Sequence, residues 1–236
     1  ENSSARQALN KFGINPRWGW GEAHLGSFSE SYSPLTLNGI EVRGGGVRLR
    51  GGFLRLALIS GLTKREVYGH GGNKSYQRLL SGGFLGFGKP GGTSFQIIAV
   101  TARDRFSDVL EIAFDSASAD TLPSSQSVTP QENLIVSTIT NISLSKKRIN
   151  IKSEISGCAI TRDRRAAELE SADIPEFAKN IFTPRVSSSA DFASMNEINI
   201  ALSKLNIKAG YNYIGPGYVS LGVASLIADK QEILLG

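Results

Sequence analysis

The chain has 236 residues, 40% of them hydrophobic, and a formal net charge of +5 from 26 Lys and Arg against 21 Asp and Glu. That apolar content fills one large domain or two small ones and excludes disorder throughout. Basic and acidic residues are mixed along the chain, which argues against a nucleic-acid interface, while the single Cys158 and two histidines exclude an internal disulfide and a zinc finger.

Twenty-six glycines, abundant Ser, Thr and Asn, and one methionine suit strands and turns better than helices. No apolar run approaches the roughly 20 residues of a membrane helix, and residue 1 starts no signal peptide. Two readings follow: a soluble β protein, or a transmembrane β-barrel whose strands hide their apolar residues in alternation.

In chain order the periodicity predicts about nine strands, roughly 17–26, 38–49, 53–62, 78–88, 93–103, 133–145, 148–161, 194–203 and 206–214, after an N-terminal extension over 1–16. In "GVRLRGGFLRLAL" a turn at Gly51-Gly52 sets Leu49 opposite Leu54 and Val47 opposite Leu56, with Arg48 facing Arg55. A turn at Pro90-Gly91 brings Phe84 opposite Ile97. In "NLIVSTITNISLSKKRINIKSEISGCAIT" a turn at Lys146-Lys147 sets Leu144 opposite Ile149 and Ile142 opposite Ile151. A turn near Lys204-Leu205 pairs Leu202 with Ile207, Ile200 with Ala209 and Ile198 with Tyr211.

Long connections alternate with these tight turns: about 62–77, 104–132, 162–192 and the tail from Gly215, all rich in turn-forming residues. The fold class expected is therefore all-β, an antiparallel up-and-down meander forming a transmembrane β-barrel or part of one. In that barrel, 104–132 and 162–192 are extracellular loops and Thr161 is where a strand leaves the bilayer. Leu54, Leu56, Leu58, Leu134, Val136, Ile142, Ile149, Ile151 and Ile155 form the lipid-facing set. The second face collects Gly, Ser, Asn and charge, as a wet lumen would, with Arg48, Arg55, Lys152, Glu154 and Lys208 as lumen-facing charges that favour anions. The competing reading is that these groups pair with one another or with a plug.

A soluble sandwich shows the same period of two. Three features favour lipid. The strands exceed the usual soluble length of about 5–6 residues, the second face is polar, and Trp18, Trp20, Phe53, Tyr76, Phe95, Tyr211 and Tyr213 fall near strand ends, where interfacial girdles lie.

"FGINPRWGWGEAHLGSFSESYSPLTLNGIEVRGGGVRLR", "SGCAITRDRRA" and "YNYIGPGYVSLGVASLIADKQE" resemble segments of the large, mostly uncharacterised outer-membrane β-barrel proteins of the Bacteroidetes and Chlorobi group. There, a strand ending in Tyr-x-Tyr runs into a Gly-Pro-Gly-Tyr loop and a Ser-Leu-Gly step, matched here by Tyr211, Tyr213, Gly215, Pro216, Gly217, Tyr218, Ser220, Leu221 and Gly222. The resemblance implies an outer-membrane location. The chain departs from the pattern at its ends, finishing on "EILLG" rather than a terminal aromatic, so a fragment or processed piece of a longer barrel is expected.

Signals for chemistry are few. HExxH, GxSxG, Walker and dinucleotide fingerprints are lacking, and "GGGVRLRGG" reads as a hairpin rather than a phosphate loop. His70 sits in the turn "YGHGGNK" and is expected to be solvated; Cys158, opposite Ile135, is expected to be a buried structural thiol. Asp104, Asp108, Asp115 and Asp120 lack the spacing of a calcium loop, so no metal, cofactor or catalytic residue is assigned. Arg162, Asp163, Arg164, Arg165, Glu168 and Glu170 are expected to form a short solvated loop helix with internal ion pairs, or else to dock a partner or lipopolysaccharide phosphate.

The expected function is non-enzymatic: a channel, a transport component, or the membrane anchor of a multiprotein envelope complex in the outer membrane. Its partners would be lipid, lipopolysaccharide and other subunits. The alternatives are a soluble or secreted β-sandwich for adhesion or carbohydrate binding, and an enzyme using His24 or His70 as base.

Overall fold

The computed structural model describes residues 12–67, 75–89, 91–105, 128–145, 148–169, 182–202 and 205–236. Twelve strands form one antiparallel meander: β1 (Gly13–Ile14), β2 (Arg17–Trp18), β3 (Gly21–Glu30), β4 (Ile40–Gly51), β5 (Leu54–Lys64), β6 (Arg78–Gly88), β7 (Ser94–Asp104), β8 (Glu132–Leu144), β9 (Ile149–Thr161), β10 (Ser188–Ala201), β11 (Asn206–Ile214) and β12 (Lys230–Leu235). From β3 to β12 each strand pairs with the next; β1 and β2 both pair with β3, and among the described residues the two outer edges do not pair with each other. Every second connection is a tight turn, so the sheet has a turn end and a loop end. Its all-β meander class is the expected one.

The hairpins test register pair by pair. At β8–β9, Leu144 faces Ile149 and Ile142 faces Ile151 as expected, and Arg148 N donates to Ser145 O at 3.2 Å across the turn. Lys146 and Lys147 lie outside the described residues.

At β4–β5 the turn falls on Gly52-Phe53, so Leu49 faces Leu56 and Val47 faces Leu58, two residues from the expected register. At β10–β11, Ile200 faces Ile207 and Ile198 faces Ala209, again two residues away. A slip of two leaves every side chain on its expected face, because the pleat has a period of two.

The β6–β7 hairpin is a true correction. Phe84 faces Ile98, not Ile97, because the connection spans the five residues 89–93 with Gly88 at φ 97 and Gly91 at φ 71. An odd-length connection shifts the register by one, which puts Phe84 and Ile97 on opposite faces.

Several boundaries also differ from expectation; β10 starts at Ser188, six residues before the expected 194 and inside the loop expected over 162–192, where Ser188 pairs with Thr161. The first expected strand is broken: Gly19-Trp20 turns the chain so that Trp18 pairs with Gly21, over which its indole lies, and β3 then continues to Glu30. Gly13 and Ile14, placed in the extension, join the sheet opposite Gly26 and Leu25. At the other edge, β12 was read as loop; it pairs with β11, Ile233 opposite Tyr211.

The sheet is curled. Tyr218 Oη lies 2.7 Å from Ser156 Oγ on β9 and donates to Leu35 O at 3.1 Å. Leu35 is five residues from Glu30 and from Ile40, a reach of at most about 17 Å. In a flat sheet β9 would lie five spacings from β4, about 24 Å away. The inward face is therefore a trough, closed over at the loop end by segments 32–38 and 215–223.

Those segments complete the core. Leu37 packs with Phe28, Val42, Ile59, Leu80, Ile98 and Ile139, and Leu35 with Ile135, Cys158, Ala193, Ile214 and Tyr218. Each large aliphatic side chain so buried stabilises the fold by about 1.5–3 kcal/mol.

Candidate functional site

The two faces of the sheet differ in where their charge lies, and the register fixes which residue lies on which. All nine residues expected to face lipid point outward. Leu54, Leu58, Val136 and Ile155 are exposed, Ile155 by 57%, while Leu56, Leu134, Ile142, Ile149 and Ile151 are half-buried among their neighbours. Outward positions that carry charge are Glu41, Arg43, Arg103 and Glu132, all near the loop end. Over the rest of β3–β12 the outward face holds no Asp, Glu, Lys or Arg.

Most exposed aromatics gather at two levels, but Tyr211, expected in a girdle, is exposed in the middle of β11 opposite Asn196 and Ile233, and Phe12 lies part-way up β3 beside Ser27. Trp18, Trp20, Phe53, Phe87 and Phe95 surround the turn end, with Trp18 and Trp20 edge to face at 5.4 Å. Exposed Phe192 and half-buried Tyr213 meet at 5.0 Å with their rings tilted by 35° near the loop end. Tyr76, expected in a girdle, is instead buried ahead of β6.

Arg48, Arg55, Lys152, Glu154 and Lys208 all lie on the inward face, but their surroundings divide them. Arg48 pairs with Glu30, approaches Glu22 at 3.8 Å and lies over the Phe84 ring at 5.8 Å. Arg50 binds the same Glu22 at 2.9 Å. Glu154 is buried and accepts a hydrogen bond from Ser137 at 3.1 Å. Arg55 lies against Gly86, where a side chain would come within 3.3 Å of its guanidinium. Lys152 and Lys208 are exposed within the trough.

The uniformly wet second face is corrected here. Toward the loop end the inward face is apolar and packed, through Val42, Leu80, Val100, Ile135 and Ile160. Sequence reading missed this because "NLIVSTIT" is apolar on both faces in its first half, and the residues that cover it, Leu35 and Tyr218, are remote in sequence.

The covering segments are pinned by polar groups. Asn133 donates to Val219 O at 3.0 Å and Ala159 O at 3.1 Å, and its Oδ1 receives Leu221 N at 3.0 Å. Ser220 donates to Thr36 O at 2.8 Å. Asp191 accepts from Phe192 N at 2.7 Å and Gly217 N at 2.6 Å, and Gly215 packs where a Cβ would lie 2.3 Å from the carboxylate. Burial raises the Tyr218 phenol above its ordinary range, so it stays a donor. Cys158 is buried opposite Ile135, as expected, and its sulfur receives Val219 N at 3.4 Å.

At the loop end Arg78 forks onto Asp104 at 2.7 and 2.9 Å, and Glu132 is held by Arg103 and Arg164. Residues 162–169 form turns rather than the expected helix. Their ion pairs are partly internal, Asp163 with Arg165 at 2.8 Å, and partly outward, Glu168 with Arg185 at 2.7 Å. Arg165 holds the Asp163 carboxyl below the usual carboxylate range, and burial lowers the Arg164 guanidinium. Glu170 lies outside the described residues.

His24 Nδ1 is 2.7 Å from Asn15 Oδ1, its Nε2 lies 3.8 Å from Glu30, and its ring stacks on Phe28 at 5.1 Å. His70, Asp108, Asp115 and Asp120 lie outside the described residues. Among the described residues no three of His, Cys, Asp and Glu are placed to hold a metal ion. No protein-family model, curated protein or solved structure matches the chain.

Proposed function

We propose that the chain is the wall of an outer-membrane β-barrel, or part of one, that serves as a channel or transport component or as the membrane anchor of a multiprotein envelope complex. The observation that carries this reading is the outward face, free of charge from the turn end to the last residues before the loops and mostly apolar, its polar positions being neutral Ser, Thr, Asn and Gln such as Ser153 and Asn196. In β8 it runs from Leu134 to Leu144, ten residues of rise or about 34 Å along the strand. Tilted at about 45°, that length spans about 24 Å, matching the apolar band of membrane barrels. Aromatics at both levels are where interfacial belts lie.

The trough narrows what such a barrel does. Packed clasp residues cover its loop end and charged groups its turn end, which suits a gated or plugged passage, or an anchor, better than an open pore. Lipid and lipopolysaccharide would meet the outward face, and other envelope subunits the long connections.

The packed apolar half of the trough is the one observation that favours the second reading, a secreted β-sandwich for adhesion or carbohydrate binding. Fractionation decides between them. Membrane-pellet location, detergent-dependent extraction and a gel shift on heating are expected for the barrel; a protein soluble without detergent overturns it.

A further inference from the structure

The β4–β5 hairpin sets two arginines against each other. Arg50 faces Arg55 directly in its register, and both lie on the inward face at the turn end. Like charges so placed repel, their Cβ atoms only about 5 Å apart, unless an opposite charge sits between them.

The charge around them does not balance. Along β2–β5 the four guanidiniums of Arg17, Arg48, Arg50 and Arg55 have two carboxylates to share, Glu22 and Glu30. Glu22 alone serves Arg17 at 3.2 Å, Arg48 at 3.8 Å and Arg50 at 2.9 Å, and Glu30 is held by Arg48. Arg55 is left over: among the described residues it makes no hydrogen bond or ion pair, and its Nε is buried without a partner. From β4 to β8 the inward face carries one acid among the described residues, Asp104 at the loop end, and Arg78 forks onto it. Glu154 and Glu197, on β9 and β10, have Lys152 and Lys208 beside them and form no ion pair with Arg55.

The row is also open. Arg55 faces Gly86 on β6 and Gly86 faces Gln96 on β7, so Arg50, Arg55, Gly86 and Gln96 form one row that holds donors and no carboxylate. The Arg55 guanidinium lies across the glycine: a Cβ at Gly86 would first meet its Nη2, Nε and Cζ, at 3.3, 3.4 and 3.5 Å. At the tip of the hairpin, Gly52 has open space where a side chain would be.

Two facing forks select the shape of the guest. A planar carboxylate has both its oxygens satisfied by one guanidinium, whereas a tetrahedral phosphate offers oxygens to two at once. We infer that Arg50 and Arg55 bind a phosphate-type oxyanion, with Gln96 as a further donor. The site depends on the inward register alone and stands whether the outward face meets lipid or protein.

The test is a phosphorus NMR titration of the full chain with inorganic phosphate, in neutral detergent if extraction requires it, with ionic strength held constant by chloride. Saturable phosphate binding is expected, with acetate a weak competitor. R55Q weakens phosphate by about tenfold or more, the loss of charge-assisted hydrogen bonds. Thermal melts separate a lost site from a damaged fold. In chloride alone R55Q is expected to melt at or above the wild-type temperature, because it removes a repulsion and breaks no pair; added phosphate raises the Tm of the wild type and not of R55Q. The inference is overturned if the wild-type chain shows no saturable phosphate binding, if R55Q binds as well as wild type, or if acetate competes as strongly as phosphate. R55Q melting below the wild type in chloride alone overturns it too, since Arg55 would then be a structural partner rather than a vacant donor.

Discussion

Tyr218 and Ser156 meet through their hydroxyls at 2.7 Å inside the trough, and the same phenol reaches Leu35 O at 3.1 Å. One side chain thus ties β9 to both covering segments. Tyr218→Phe keeps the ring and leaves buried partners unsatisfied, for an expected loss of about 1–3 kcal/mol in denaturant unfolding. Ser156→Ala removes only one of the two bonds and is expected to cost less.

Asp191 and Gly215 form a matched pair. Asp191→Ala releases Phe192 N and Gly217 N; Gly215→Ala drives a Cβ into the carboxylate. Each substitution alone is expected to destabilise, but in the Asp191→Ala background the glycine substitution meets no carboxylate. A double-mutant cycle should return a coupling of about 0.5–3 kcal/mol.

Ile155, outward and near the middle of β9, reports the solvent of its face directly. Ile155→Arg is expected to cost about 2–4 kcal/mol in a bilayer. An exposed site in water would change by about 0.5 kcal/mol or less. Unfolding from lipid vesicles measures the difference, and a value near zero there argues for a water-facing sheet.

The turns over 162–169 carry a pH dependence. Because Arg165 depresses the folded pKa of Asp163, the pair stabilises the segment above the unfolded value of about 3.9 and loses that contribution as pH falls through the folded one. Protease cleavage within 162–169 should rise on acidification below that window, and Asp163→Asn should be cleaved readily at neutral pH with little further change.

What the sequence made legible is what local spacing controls. Leu144 opposite Ile149 followed from a short turn between two alternating runs, and the inward placement of Lys152 and Lys208 followed from the same period. Phe84 was assigned to the wrong partner because loop length, not pattern, sets register, and Gly88 and Gly91 gave the connection five residues. β12 is too short, and its "ILL" end too continuously apolar, to show alternation. The dry half of the trough was illegible because Leu35 and Tyr218 close it from opposite ends of the chain.

The clasp also sets an order of events. Leu35 O and Thr36 O are satisfied by Tyr218 and Ser220, 183 and 184 residues later in the chain. Hairpins can zip locally, each with its neighbour, but those two carbonyls stay hydrated until Tyr218 and Ser220 have been made and brought back to them. Closing so long a loop is slow and comes late. The sheet's hairpins can therefore pair before the lining that makes the trough dry is in place.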